Sequence, residues 1–144
     1  GETAALHALG LSPRPMNYDH LLTVVFTDPQ IATVGLSPKE IEERGIEFLS
    51  ASYPFDDHGK SILMEAKRGY VALHAEKSDG RILGAECVGK DAGELVHSLS
   101  VAISLGAKVH ELARAEWYHP TLSEIWTYPI EDLSEEIPDR SQKK

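Results

Sequence analysis

The sequence predicts an α+β fold, a mainly antiparallel sheet of about five strands with helices packed against it. First, strand-like segments precede most of the helical ones, an order that favours an α+β layer over a doubly wound parallel sheet. Second, Val71, Leu73 and Ala75 alternate with less apolar residues in "YVALHAE", as in a half-covered strand. Third, the hairpin signal Asp79-Gly80 lies between two such segments.

The opening segment, "GETAALHALG", favours the end of a helix that stops at Gly10, followed by an irregular connector rich in proline. Because the chain starts within this helix and without an initiator Met, we expect residues 1–20 to be the remnant of a preceding domain and its linker. Residues 21–133 are then the domain itself. Residues 134–144 are expected to be a charged, flexible tail.

Strand-like composition, bounded by turn signals, occurs at 21–27, 31–36, 46–55, 61–66, 70–76 and 81–89. Helices are predicted at 37–45, 91–106 and 108–115. The first has a Ser37–Glu40 capping box and the second an Asp91–Glu94 box. The second helix has a wide apolar arc, which predicts burial on more than one side; its members are Leu95, Val96, Leu99, Val101, Ala102, Ile103 and Leu105.

Composition excludes several classes of function. The net charge is −9 over 144 residues, and the basic residues cluster only at the C-terminus, so a nucleic-acid or anionic-membrane surface is not expected. The single cysteine, Cys87, permits no internal disulfide, CxxC pair or thiolate zinc site, and the histidine spacing predicts no metal site. The chain has no GxGxxG loop. We expect a cytoplasmic protein.

"EWYHPTLSEIW" contains the strongest candidate for chemistry, His119 with Glu124 five residues later. Thr121 and Glu124 have the spacing of a helix capping box, which explains both without any function. Glu124 is also close enough to hydrogen-bond the His119 imidazole, fixing its tautomer and supporting its charged form, as a general acid–base requires. The residues alone leave both interpretations open.

Three stretches together resemble the C-terminal dimerisation domain of the pyridine nucleotide-disulfide oxidoreductases, the family of dihydrolipoamide dehydrogenase and glutathione reductase. They are "VVFTDPQIATVGLS" (24–37), "GRILGAECVGKDAGELV" (80–96) and "HPTLSE" (119–124). Their order and spacing match the family from about residue 21 to residue 133. Mercuric reductases have Tyr where this chain has His119, which disfavours that subgroup.

The resemblance implies a homodimer that forms through the 92–106 helix and the sheet. It implies FAD and NAD(P) in the full-length enzyme, bound by domains of the same chain that lie outside this sequence, and no cofactor bound by this fragment alone. His119 would be the acid–base that serves the dithiol and flavin of the partner subunit, and Glu124 would orient it. His119 and Pro120 would contact the partner's FAD, and the substrate would be a small disulfide or a lipoyl group.

A second hypothesis comes from a different class of protein. The chain could be a stand-alone interaction or dimerisation domain, in which His119 and Glu124 are only helix-cap residues.

Overall fold

The computed structural model describes residues 1–11 and 14–139 of the chain. It contains a five-stranded sheet in which every neighbouring pair is antiparallel, in the order β1-β2-β5-β4-β3. The strands are β1 Leu22–Val25, β2 Gln30–Gly35, β3 Phe48–Pro54, β4 Tyr70–Glu76 and β5 Ile82–Gly89. The predicted fold class is therefore confirmed.

Seven α-helices occur in the described residues. They are α1 Glu2–Ala8, α2 Pro38–Glu43, α3 Gly59–Leu63, α4 Ala92–Leu95, α5 His97–Ser104, α6 Val109–Ala113 and α7 Thr127–Glu136. The Ser37–Glu40 capping box of α2 forms as predicted: the Glu40 N–H donates to Ser37 Oγ at 3.3 Å, and the Ser37 N–H donates to Glu40 Oε2 at 2.8 Å.

The main core lies between one face of the sheet and the helices that follow it. Val71, Leu73 and Ala75 of β4 are fully buried in it, together with Leu99 of α5 and Ile130 of α7. The other face of β4 is also covered, which differs from the half-covered strand that the alternation predicts. On that face the Phe48 ring of β3 meets His74 edge-on at 6.2 Å, and Phe48 packs against a second buried cluster that contains Ile41 of α2.

The predicted strand at 61–66 is wrong, because this segment contains the end of α3 and a turn. The β3–β4 pairing ends at Pro54 opposite Tyr70, and the Phe55 N–H donates to the Gly69 carbonyl at 3.1 Å. Residues between these two points form the connection of a hairpin, where the sheet offers no position for a further strand. Their backbone bonds are therefore made locally, in helical turns.

The predicted capping box at Asp91 is also not formed. Asp91 has a left-handed backbone (φ 57°), and its side chain makes no cap hydrogen bond. The Gly93 N–H instead donates to the side-chain oxygen of Gln30 on β2 at 3.2 Å. The predicted helix 91–106 is divided into α4 and α5 at Val96, where His97 Nδ1 donates to the Gly93 carbonyl at 2.7 Å.

The first residues of the expected flexible tail, 134–137, are part of the folded domain. Residues 134–136 continue α7, and Ile137 is buried in the main core. An apolar spacing of three to four residues, Ile130–Leu133–Ile137, holds this segment to the domain despite its charge. Residues 140–144 of the expected tail lie outside the described residues.

Candidate functional site

His119 and Glu124 lie in the connection between α6 and α7, and the structure brings their side chains together. His119 is joined to Pro120 by a cis peptide bond, and Glu124 belongs to a 3-10 turn, Ser123–Trp126. The Nδ1 atom of His119 is 2.9 Å from Glu124 Oε2 and 3.0 Å from Oε1. The imidazole thus donates to a carboxylate, which fixes the ring's orientation and its tautomer.

The two partners differ sharply in their access to solvent. The His119 side chain is 80% exposed, whereas that of Glu124 is 10% exposed. A carboxylate that is buried needs hydrogen-bond donors to replace lost water. The ring thus stands on the surface of the domain, while the group that orients it is held in the interior.

Only one of the two hydrogen bonds of a capping box forms between Thr121 and Glu124. The Glu124 N–H donates to Thr121 Oγ1 at 3.3 Å, as a cap requires. The Glu124 carboxylate, however, receives its hydrogen bonds from imidazoles instead of returning to the Thr121 backbone. Capping therefore explains the position of the Glu124 backbone but not the placement of its side chain.

A second histidine completes the surroundings of Glu124, and sequence reasoning missed it. His58 is fully buried; its Nε2 is 3.2 Å from Glu124 Oε1, and its Nδ1 is 2.7 Å from Ser61 Oγ. His58 directly precedes α3, between the predicted strands at 46–55 and 61–66. It is 66 residues from Glu124, so no motif spacing could connect them.

Aromatic side chains support the turn that carries Glu124. The Trp126 indole is fully buried, and its Nε1–H donates to the Leu95 carbonyl of α4 at 3.0 Å. Tyr128 stacks on Tyr53 of β3 with ring centroids 3.7 Å apart and meets His58 edge-on at 6.1 Å. The site is thereby tied to α4 and to the edge strand of the sheet.

The chain does not contain a reactive sulfur. Cys87 is buried in β5, and burial raises the pKa of its thiol to about 12, so its thiolate is disfavoured. No group of three or more His, Cys, Asp or Glu side chains within residues 1–11 and 14–139 could hold a metal ion. In the same part of the chain, no helix is long and apolar enough to cross a membrane.

A protein-family model matches most of the chain. Residues 21–129 match the family model described as "Pyridine nucleotide-disulphide oxidoreductase, dimerisation domain". The chain therefore belongs to this family, and the resemblance predicted from its three motifs is confirmed.

Two similar curated proteins are dihydrolipoyl dehydrogenases. The chain is 38% identical over 126 residues to "Dihydrolipoyl dehydrogenase 2" of Haloarcula marismortui, covering 86% of this chain and 26% of that protein. It is 36% identical over 112 residues to the mitochondrial dihydrolipoyl dehydrogenase of Canis lupus familiaris, covering 78% and 22%. The chain thus spans about a quarter of the length of these relatives.

Solved structures agree on the fold. LpdA from Mycobacterium tuberculosis superposes with a TM-score of 0.81 at 28% identity, covering 90% of this chain and 28% of that one. The HOCl-induced flavoprotein disulfide reductase RclA from Escherichia coli superposes with a TM-score of 0.80 at 20% identity, covering 90% and 30%. At that identity the RclA likeness supports the fold alone.

Proposed function

We propose that the full-length protein is an FAD-dependent, NAD(P)H-linked disulfide oxidoreductase of the dihydrolipoamide dehydrogenase type. Its dimerisation domain, residues 21–133, would supply His119 and Glu124 to the dithiol and flavin site of the partner subunit. The fragment alone would catalyse nothing and would bind neither FAD nor NAD(P), because the dithiol and the cofactor sites belong to other domains. This proposal is supported most by one observation, the exposed His119 ring held by a buried carboxylate.

The chemistry assigned to His119 is proton transfer during thiol–disulfide interchange. With Nδ1 bound to Glu124, Nε2 is the nitrogen that exchanges a proton with a sulfur. It takes the proton of the attacking thiol; the thiolate attacks one sulfur of the disulfide, and a new S–S bond forms as the old one breaks. The imidazolium returns the proton to the leaving sulfur, and the Glu124 carboxylate stabilises the charged ring in between.

The cofactor would lie against the same exposed surface. FAD, when bound, would pass electrons between the nicotinamide and the dithiol. His119 and Pro120 are both exposed in the connection between α6 and α7, which fits a contact with a group carried by another subunit. Tyr118, also exposed, adds a bulky aromatic ring beside His119, where a small disulfide or lipoyl substrate would approach.

Self-association through α5 and the sheet is the second part of the proposal. Leu99 and Ile103 of α5 face the main core, whereas Val101 is 59% and Leu105 79% exposed. Apolar side chains on the outer side of a helix are suited to a self-complementary two-fold interface. Sedimentation of the full-length protein should show a dimer that Val101→Asp weakens; a variant as dimeric as the wild type would contradict the use of this helix.

The acid–base role is tested by separating the two half-reactions in the full-length protein. His119→Gln should slow dithiol–disulfide interchange by at least about a hundredfold, in line with a lost general acid–base. Flavin reduction by the nicotinamide should change little, because this step needs no thiol proton. His7→Gln, which alters an exposed histidine of α1, is the control. Equal loss of both steps in His119→Gln would count against the role.

The second hypothesis, a stand-alone interaction domain, predicts a different upstream coding sequence. Upstream of this sequence, the proposal expects a GxGxxG loop after a strand and a CxxxxC pair in the same reading frame. A start codon directly before Gly1 would favour the second hypothesis.

A further inference from the structure

The site contains a hydrogen-bonded chain that runs from the interior to the exposed ring of His119. Its inner end is Ser61 on α3, whose hydroxyl is 2.7 Å from His58 Nδ1. His58 Nε2 is 3.2 Å from Glu124 Oε1, and Glu124 Oε2 is 2.9 Å from His119 Nδ1. Ser61 and His58 are both fully buried, so water cannot substitute for either contact.

The donor and acceptor atoms of these side chains determine where the protons lie in the hydrogen-bonded series. An ionised carboxylate only accepts, so the Nε2 atom of His58 must carry a hydrogen and donate it to Glu124. In a neutral ring Nδ1 is then an acceptor, and the Ser61 hydroxyl donates to it. The Glu124 carboxylate therefore sets the His58 tautomer, and the Ser61 hydroxyl satisfies Nδ1 and fixes the orientation of the ring.

We propose that His58 is a positioning residue for the acid–base pair, which anchors the Glu124 carboxylate and thereby the catalytic ring of His119. The inference rests on the proposed function and adds to it a residue from a distant part of the chain. His58 holds Oε1 from the interior, which restricts rotation of the carboxylate and keeps Oε2 directed at His119. Because the His119 ring is exposed, any rotation that the carboxylate gains also changes the orientation of the ring.

The contacts of His58 suit an anchor. Its ring is enclosed by the domain and meets the Tyr128 ring edge-on at an interplanar angle of 81°. Tyr128 in turn stacks on Tyr53, so the ring is held from the edge strand as well as from α3. A side chain that is fixed in this way can transmit its position to its hydrogen-bond partner.

The test uses the full-length protein and measures the two half-reactions separately. His58→Leu removes the donor to Glu124 and should slow dithiol–disulfide interchange about tenfold, the value of one hydrogen bond to a charged group. Flavin reduction by the nicotinamide should be unchanged. His58→Gln retains an N–H near the position of Nε2 and should recover most of the rate. Ser61→Ala should give a smaller loss, because the ring stays but loses the hydrogen bond that fixes its orientation.

A double-mutant cycle separates positioning from a merely structural role. If His58 acts through Glu124, then His58→Leu should cause no further slowing when Glu124→Gln is already present. Multiplicative losses would overturn the inference. His74→Leu is the matched control, since His74 is also buried and bonded to a serine, Ser50, at 2.8 Å but does not contact Glu124. It should leave interchange unchanged.

Failure of the inference and of the proposed function give different results. If His119→Gln leaves interchange intact, the proposed function itself is wrong. If His119→Gln slows interchange but His58→Leu does not, only the positioning role is wrong. Should His58→Leu fail to fold, Ser61→Ala decides: a slowed interchange supports the inference, and a wild-type rate overturns it.

Discussion

Replacement of Trp126 by phenylalanine is predicted to destabilise the domain by about 2 kcal/mol. The lost hydrogen bond to the Leu95 carbonyl contributes about 1 kcal/mol, because the Ser98 hydroxyl still donates to the same oxygen, at 3.3 Å. The missing five-membered ring leaves a void of roughly 40 Å³ in a fully buried position. At about 24 cal/mol per Å³, this void contributes about 1 kcal/mol more.

Equilibrium urea unfolding of the 144-residue chain, followed by far-UV circular dichroism, measures this change if the m-value is unaltered. Trp117→Phe is the matched control. Trp117 also donates to a leucine carbonyl, that of Leu112, at 3.0 Å, but it is only partly buried, so its loss should be less than half as large. Equal losses, or a loss below about 0.5 kcal/mol for Trp126→Phe, would refute the reasoning from burial.

Three further predictions test buried positions of the sheet. Burial lowers the pKa of His74 from 6.5 to about 4, so between these values only the unfolded chain takes up the proton. The free energy of unfolding should fall by up to about 3 kcal/mol as the pH decreases through this range, and His74→Gln should flatten the pH dependence of the urea midpoint. The Cys87 thiol, with its pKa raised to about 12, should react with an aromatic disulfide reagent at about pH 8 only after unfolding; rapid labelling of the folded chain would contradict its burial. A Cβ at Gly84 would lie 2.0 Å from the Leu36 carbonyl oxygen, whereas one at Gly59 meets nothing within 4 Å. Gly84→Ala should therefore cost about 2 kcal/mol or more by urea unfolding and Gly59→Ala much less.

The elements that the sequence predicts correctly depend on local signals. The Ser37–Glu40 capping box needs only residues within one turn, and the hairpin at Asp79-Gly80 needs only its own backbone, with Gly80 at φ 78°. The incorrect predictions concern segments whose structure depends on distant neighbours. Apolar residues in 61–66 have a strand-like composition, but the β3–β4 pairing leaves them in a connection, and Asp91 is displaced from its cap by the contact that Gln30 makes with Gly93.

The same distinction applies to the site. His119 and Glu124 are five residues apart, so a motif can contain both, and the structure places them at hydrogen-bond distance. His58 reaches Glu124 only because α3 and the turn before α7 lie together in the folded domain. A lone histidine between an acidic residue and a glycine carries no signal of that contact. Spacing within one motif could therefore indicate that His119 and Glu124 pair, but nothing in the sequence connects His58 with them.

Burial decreases along the hydrogen-bonded series Ser61–His58–Glu124–His119, from the interior to the surface. Both ring nitrogens of His58 have partners within the domain, Glu124 and Ser61. His119 instead directs only Nδ1 at its own domain, and most of its side chain faces outward. An imidazole that is oriented from within and exposed on its other side is suited to a partner outside its own domain. If His119 serves thiol–disulfide interchange as proposed, the sulfur must come from outside the domain, because the only cysteine of the sequence is buried in β5.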